Sequence, residues 1–156
     1  MRLQDIMNPT VHTILPQESA EAAYQRMRQD RIHHLVVIHG KQVVGVVSER
    51  DLGSGHGETL RKNRTVGDFI STPAISAPPF MTVRQAANLM RGQSIGCLPV
   101  TDAKGLVGIV TISDLLELIG RGSEKPIQNR TRWTMRHRES TVASSRPKTP
   151  RLSRAR

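Results

Sequence analysis

The sequence predicts an α+β fold made of two similar halves, each with the element order β-α-β-β-α. The main observation is an internal duplication, because residues 5–52 align without a gap with residues 68–115, which lie 63 positions later. Of the 48 aligned positions 14 are identical, and most of the others exchange similar residues. In both halves the spacing of apolar residues changes in the same order, from the helical period to the short continuous runs of strands. A repeat cannot bury its apolar face alone, so two copies predict one core with a pseudo-two-fold axis and clefts where the halves meet.

A helix is predicted early in each half from apolar residues spaced i, i+3, i+4 and i+7, which places them on one face. These positions are Ala20, Ala23, Tyr24 and Met27, then Val83, Ala86, Ala87 and Met90. Ser19 and Thr82 are expected N-caps, and Thr82 with Gln85 predicts a capping box. A short extended segment is expected before each helix, at residues 10–15 and 74–77.

Two strands are predicted after each helix, because short aliphatic runs are separated by turn residues. They cover residues 35–38 and 43–47 in the first half, and 98–101 and 106–110 in the second. A last helix is expected to begin near Asp51 and near Asp114. Since the strands are almost continuously apolar, we expect sheets that helices cover on one face and that pack where the repeats meet.

Composition divides the chain into three parts. Residues 1–60 hold the first repeat and the start of a linker, residues 61–120 hold the second repeat, and residues 121–156 form a tail. The glycine-rich linker at residues 53–57 is expected to be flexible and lacks the Gly-Lys-Ser/Thr ending of a phosphate loop. The tail has no apolar periodicity, so we expect it to be disordered by itself. It has 11 Lys and Arg against 2 Asp and Glu, a net charge of +9, whereas residues 1–120 have +1.

Composition also excludes some classes. Cys97 is the only cysteine, so no intramolecular disulfide can form, and we interpret it as a small buried side chain. No apolar run approaches the roughly 18 residues of a membrane-spanning helix. The first residues have no signal-peptide core, and a cytoplasmic location is expected.

The motif that indicates a binding site follows the second hairpin strand of each half and has the form Gly-apolar-apolar-Ser/Thr-x-x-Asp. It occupies residues 45–51 and 108–114. A hydroxyl at a helix start, close to free backbone N–H groups, suits a phosphate. A carboxylate three residues later can accept hydrogen bonds from both hydroxyls of a ribose. Ser/Thr-x-x-Asp is also a capping box, and the two roles are compatible. The repetition of this motif predicts a nucleotide site.

With these motifs the chain resembles a tandem pair of CBS domains, the cystathionine-β-synthase-type regulatory repeat, together called a Bateman module. The resemblance also depends on Asp5-Ile6-Met7 and Leu98-Pro99-Val100, and it covers roughly residues 1–119. It implies two pseudo-symmetric clefts that bind an adenine nucleotide (AMP, ADP or ATP), with S-adenosylmethionine or NAD as other adenosyl ligands. No catalytic cofactor is implied.

The resemblance also implies that each cleft takes residues from both repeats. One cleft would use Thr111, Asp114 and Gly108 with Val11, His12, Ile32 and His33. The other would use Ser48, Arg50, Asp51 and Gly45 with Ala74, Ile75, Ile95 and Gly96. Hydroxyls would contact phosphate, aspartates the ribose and apolar side chains the adenine, while Arg50 would add positive charge. His12 and His33 make the first cleft more polar than the second, so we expect unequal sites.

No residue pattern predicts catalysis or a metal site. No serine, cysteine or carboxylate has an evident base, so we expect no enzyme. His33 and His34 are adjacent, so their rings point to opposite faces of an extended segment, and neither has zinc-like spacing to Cys or His.

The expected function is a regulatory module that senses a ligand and signals by conformational change to an effector protein that the sequence does not identify. The apolar helix faces exceed what one small core needs, which predicts a homodimer. The alternative is a nucleic-acid-binding protein that uses the basic tail, with Trp133 stacking on a base and the repeats serving for dimerisation. The tail could also bind an anionic membrane, or be only a solvated segment.

Overall fold

The two halves contain the same helix and hairpin, as the duplication predicts. The protein is described by a computed structural model that covers residues 1–70 and 73–120. In the first half, β1 is Thr13–Ile14, α1 is Ala20–Asp30, β2 is His34–His39 and β3 is Gln42–Ser48; a short helix α2, Glu58–Arg61, follows. In the second half, α3 is Val83–Gln93, β4 is Cys97–Asp102, β5 is Gly105–Thr111 and α4 is Ile112–Gly120. The tail predicted at residues 121–156, including Trp133, lies outside the described residues.

Local sequence patterns explain the two long helices. Ser19 caps α1 by accepting a hydrogen bond from the Ala22 backbone N–H, and Thr82 with Gln85 forms the capping box of α3. Both helices end at a residue in the left-handed conformation, Arg31 and Ser94. The predicted caps are therefore confirmed, and so is the apolar face of α1, which packs on the first hairpin. In α3 only Ala86 and Met90 are buried with the second hairpin, while Val83 and Ala87 are half-buried.

The hairpins form two sheets with matching irregularities. Strand β2 pairs antiparallel with β3 and parallel with β1, while β4 pairs antiparallel with β5. The register shifts between residues 37 and 38 and again between residues 100 and 101, which are equivalent positions. The second extended segment, predicted at residues 74–77, is not a strand and contributes only the bridge between Ala77 and Val100.

Each half is completed by a short segment that belongs in sequence to the other half. We call residues 3–8 the first strap and residues 66–70 the second strap. The first strap pairs with the second half, where Asn8 and Ile109 exchange backbone hydrogen bonds of 2.9 and 3.0 Å. Leu3 is fully buried in the second-half core. The second strap binds the first half, where Val66 is fully buried in the other core.

Two pairs of identical residues hold the straps. Asp5 Oδ2 accepts a hydrogen bond from the Arg2 backbone N–H (2.7 Å), and Asp68 Oδ2 accepts one from the Thr65 N–H (2.8 Å), so each carboxylate closes the turn that begins a strap. The identical glycines of the two motifs lie beneath the straps. A Cβ at Gly45 would be 2.8 Å from Ile70 Cβ. The glycines therefore allow a strap to approach rather than a ligand.

The last helices of the two halves differ. Helix α4 begins two residues before Asp114, as expected. The helix predicted near Asp51 is wrong, because the chain there forms turns, then a 3₁₀ turn at Ser54–His56, before α2. Gly53 has φ of +77°, a left-handed conformation that interrupts a helix. The predicted linker at residues 53–57 thus has a defined backbone path.

Helix α4 is rich in apolar residues and yet leaves them accessible to solvent. None of its residues is buried, and Ile112, Leu116 and Ile119 are exposed. Across residues 1–70 and 73–120, no helix combines the length and the apolar character needed to cross a bilayer.

Candidate functional site

A cavity of about 1130 Å³ lies between the two halves, where β3 and β5 end. Both motifs contribute to its wall, through Ser48 and Asp51 from the first half and Thr111 from the second. Small-molecule sites in proteins occupy about 300–1,000 Å³, so this space is large enough for a nucleotide. The duplication therefore brings two copies of one motif to one cavity.

The first motif forms the hydrogen bonds of a capping box at the turn that follows β3. Asp51 Oδ2 accepts hydrogen bonds from the Ser48 backbone N–H (2.8 Å) and the Ser48 hydroxyl (2.6 Å), and the Asp51 N–H donates to Ser48 Oγ (3.2 Å). The second motif repeats this arrangement with Thr111 and Asp114, at 2.6, 2.7 and 3.3 Å. These bonds fix both carboxylates and use the proton of each hydroxyl. A phosphate would have to compete with the aspartate for that proton.

Most of the predicted site residues line this one cavity. They are His12, Ile32, His33, Ser48, Arg50, Asp51, Ala74, Ile75, Ile95, Gly96 and Thr111. Four predicted residues do not line it. Gly45 and Gly108 lie beneath the straps, Asp114 is half-buried outside the cavity wall, and Val11 lines a separate cavity of about 360 Å³. The two predicted clefts are therefore parts of one space, and the wall contains Asp51 but not Asp114.

The first half contributes charged side chains to the cavity wall, and most of them lie close to a side chain of opposite type in the same half. His33 Nδ1 lies 2.9 Å from Glu49 Oε2, and Arg28 Nη1 lies 3.9 Å from Glu49 Oε1. His12 Nδ1 lies 3.4 Å from Asp30 Oδ2. Because Glu49 already has two basic neighbours, it adds little unbalanced negative charge to the cavity.

His34 and Cys97, which the motif analysis did not select, lie where the two halves face each other. A Cβ at Gly96 would be 3.0 Å from His34 Nε2, so the ring of one half rests on the backbone of the other. Burial lowers the pKa of His34; the charges of His33 and Arg50 also lower it, and Asp51 opposes them. His34 is therefore neutral at neutral pH. The signal that identifies both residues is the duplication itself, since positions 34 and 97 are equivalent.

We expect Cys97 to be unreactive in the folded protein. Burial raises the pKa of its thiol to about 12, with a smaller contribution from the charge of Asp51. The thiolate is the reactive species, so its population falls by about a thousandfold relative to a free thiol of ordinary pKa. Iodoacetamide labelling at pH 8, followed by mass spectrometry, should be slow in buffer and fast in 6 M guanidinium, and absent in Cys97→Ser. Rapid labelling of the native protein would contradict the burial of this thiol.

The groups that the described residues place around the cavity are suited to binding a ligand. In that part of the chain no three His, Cys, Asp or Glu side chains converge on a position suited to a metal ion. The cavity offers apolar isoleucines, two arginines, ring nitrogens and a fixed carboxylate.

The family profile described as the CBS domain matches residues 3–52 and 66–121. The chain therefore belongs to the CBS domain family and carries two copies of the domain. Among curated relatives, the CBS domain-containing protein YhcV of Bacillus subtilis (strain 168) is 30% identical over 114 residues, covering 72% of this chain and 81% of YhcV.

Relatives of other size share only this module. The inosine-5'-monophosphate dehydrogenase of Thermoplasma acidophilum is 31% identical over 116 residues, which cover 74% of this chain but 23% of that enzyme. The similarity therefore concerns 23% of the enzyme and not its whole length.

Solved structures of CBS pairs have the same fold. CBSX2 in complex with AMP has a TM-score of 0.66 and 26% identity, covering 76% of this chain and 95% of that one. The CBS domain pair of protein MJ0100, in complex with 5'-methylthioadenosine and S-adenosyl-L-methionine, has a TM-score of 0.68 and 25% identity, covering 77% and 96%. The predicted α+β fold with two CBS repeats is confirmed.

Proposed function

We propose that this protein is a regulatory module that binds an adenosine ligand in the cavity between its two CBS repeats. The observation that carries the proposal is that Ser48, Asp51 and Thr111, from two motifs with the same geometry, line one cavity of nucleotide size. The AMP complex of CBSX2 and the adenosyl complexes of MJ0100 support the class of ligand.

The cavity suits the three parts of such a ligand differently. Ile32, Ile75 and Ile95 offer apolar contacts for an adenine ring. Asp51 uses Oδ2 for its cap, and its Oδ1 has no hydrogen-bond partner among the described residues, so it can accept from ribose hydroxyls. Since the Ser48 and Thr111 hydroxyls donate to their aspartates, phosphate requires donors beyond the motifs.

The regulatory step follows from the position of the cavity. A ligand that contacts both halves can favour one relative orientation of them over another. It shifts the equilibrium only by the difference between its affinities for the two states. An effector protein that binds one orientation would then respond to the ligand. Homodimer formation is part of the proposal, and the exposed apolar side chains of α4 support it.

The ribose contact is tested by a matched pair of substitutions. Asparagine keeps one side-chain oxygen that can accept the two hydrogen bonds from Ser48 but has no carboxylate to offer to a diol, so Asp51→Asn keeps the turn and removes the contact. We expect it to weaken AMP binding by about tenfold or more, the value of a hydrogen bond to a charged group. Asp114→Asn changes the equivalent cap outside the cavity wall and should leave the affinity within about twofold.

Isothermal titration calorimetry measures both affinities, and thermal unfolding without ligand checks that both variants fold equally well. Unchanged AMP binding in Asp51→Asn would contradict the ribose contact. Equal losses in the two variants would show that Asp114 also reaches the ligand. A thermal-shift screen in which no adenine nucleotide, S-adenosylmethionine or NAD raises the melting temperature would contradict the proposed function as a whole.

The alternative function, nucleic-acid binding through the basic tail, rests on residues outside the described part of the chain. No contact in the structure favours it, and it stays a prediction from charge.

A further inference from the structure

The charged wall of the first half is not repeated in the second half. In the first half, acidic and basic side chains lie side by side in the Arg28–Glu49–His33 cluster and the His12–Asp30 pair. At the equivalent positions of the second half, all but one of the residues are uncharged. These residues are Ile75 for His12, Gln93 for Asp30, Gly96 for His33 and Ile112 for Glu49. The exception is the residue equivalent to Arg28, which is Arg91.

The loss of the acidic partner changes what the retained arginine can do. Arg28 lies beside Glu49 and is not among the described residues that line the cavity, whereas Arg91 lines it. The position equivalent to Glu49 is Ile112, which cannot accept a hydrogen bond. In the described part of the chain Arg91 has no ion-pair partner, and its side chain is exposed. A guanidinium is thus available at the cavity wall with its five donors unused.

Several other polar groups of the cavity are already engaged. Both motif hydroxyls donate to aspartates, and Glu49 has two basic neighbours. Arg50, on the opposite half, also lines the cavity and has no ion-pair partner among the described residues. The two arginines of the wall without an ion-pair partner among the described residues therefore come one from each half. Arginine binds phosphate oxygens with a planar pair of N–H groups. S-adenosylmethionine offers one carboxylate but also carries a sulfonium and an ammonium, so its net charge is positive and two arginines favour it less than a phosphate.

We propose that Arg91 is a specificity-determining residue that makes the cavity prefer adenosine ligands with a phosphate over uncharged adenosine and over S-adenosylmethionine. Arg50 adds positive charge from the other half. This inference rests on the proposed function, because it concerns which member of the adenosine class the same cavity selects.

The test compares AMP with adenosine on one set of variants. In calorimetry, Arg91→Ala should weaken AMP binding by about tenfold and leave adenosine binding within about threefold, since only AMP offers a charged acceptor. Arg84→Ala is the matched control, because Arg84 is an exposed arginine of the same helix that does not line the cavity. It should change neither affinity. Arg91→Lys should keep part of the preference.

A second variant rebuilds the symmetry instead of removing the arginine. Ile112→Glu places a carboxylate where Glu49 stands in the first half, so Arg91 should pair with it as Arg28 does. AMP binding should weaken as in Arg91→Ala, and Ile112→Gln, which has the same size without charge, should retain it. The effect of Ile112→Glu should also be smaller in the Arg91→Ala background.

The outcomes separate this inference from the proposed function. If Arg91→Ala weakens AMP and adenosine equally, or weakens neither, the specificity role is overturned while ligand binding stands. Tighter binding of S-adenosylmethionine than of AMP to the unsubstituted protein would overturn it as well. If neither AMP nor adenosine binds the unsubstituted protein, it is the proposed function that fails.

Discussion

Replacing Arg61 by alanine is expected to lower the free energy of unfolding by about 2–4 kcal/mol, because it removes a buried guanidinium with three hydrogen bonds and takes the donor from the buried carbonyl oxygen of Leu52. The side chain of Arg61 is 3% exposed. Its Nε donates to Glu21 Oε2 (2.6 Å), and its Nη1 donates to the carbonyl oxygens of Leu52 (2.7 Å) and Ser54 (2.8 Å). The guanidinium also lies 3.8 Å from the centroid of the Tyr24 ring.

Three controls separate these contributions in urea unfolding. Arg61→Lys keeps the charge but not the planar set of donors, so it should recover only a small part of the loss. Glu21→Gln should cost less than Arg61→Ala, because Glu21 is 40% exposed and the carbonyl bonds remain. Lys62→Ala, an exposed neighbour, should stay within about 0.5 kcal/mol. A similarly small effect of Arg61→Ala would refute the proposed role.

The same contact gives a pH dependence. The hydrogen bond from Arg61 is the main reason that the pKa of Glu21 is lowered from its ordinary value of 4.5. A carboxyl with a lowered pKa in the folded state stabilises that state when ionised. Its contribution is therefore complete above about pH 4.5 and decreases as the pH falls through the folded-state value. The difference between Glu21→Gln and the unsubstituted protein should shrink accordingly.

The second large effect is expected when a methyl group is added beneath either strap. Gly45→Ala and Gly108→Ala should each destabilise the protein by about 1–3 kcal/mol, the usual cost of overpacking. A Cβ at Gly108 would lie 2.6 Å from Met7 Sδ and 3.2 Å from the Asn8 carbonyl oxygen. At Gly45 the nearest atom is Ile70 Cβ, which cannot rotate away. Gly45→Ala should therefore be the costlier substitution.

Double-mutant cycles distinguish the two contacts. Met7→Ala removes the sulfur that Gly108→Ala would meet, so the pair should be less destabilising than the sum of the two changes. Ile70→Ala keeps the Cβ that lies nearest to Gly45, so it should relieve Gly45→Ala much less. Urea unfolding of both sets measures the coupling energies. Equal coupling in the two cycles would mean that the straps rearrange when the methyl group is added.

The predictable part of the fold is the part decided by neighbouring residues. The starts of α1 and α3 follow from their caps, and the structure confirms them. The four hairpin strands follow from apolar runs and turn residues, and each is one residue longer at both ends than predicted. The failed helix near Asp51 has a local cause, because Gly53 and the glycines after it interrupt the pattern. The straps could not be placed, since Asp5 and Asp68 mark their turns but give no sign that each crosses to the other half.

The two motifs of the candidate site could be predicted from the sequence. Which residues line the cavity wall could be predicted only in part. The motifs at residues 45–51 and 108–114 were found because their chemistry is local. Whether a motif aspartate lines the cavity depends on packing, which separates Asp51 from Asp114 although their caps are equal. Arg91 was visible in the alignment of the halves, as an arginine whose partner position changes from Glu49 to Ile112. The signal is a charged residue that is kept in both copies while the position of its oppositely charged partner is not.

The exchange of straps has a consequence for how the protein is made. The first strap leaves the ribosome before the whole second hairpin, which contains its partner Ile109. Leu3 must therefore stay in water, or with a chaperone, until the second hairpin exists. The core of the first half is likewise incomplete until Val66 arrives. Neither copy is an independent folding unit, so a gene that once encoded a single repeat would have needed a second chain to supply its strap.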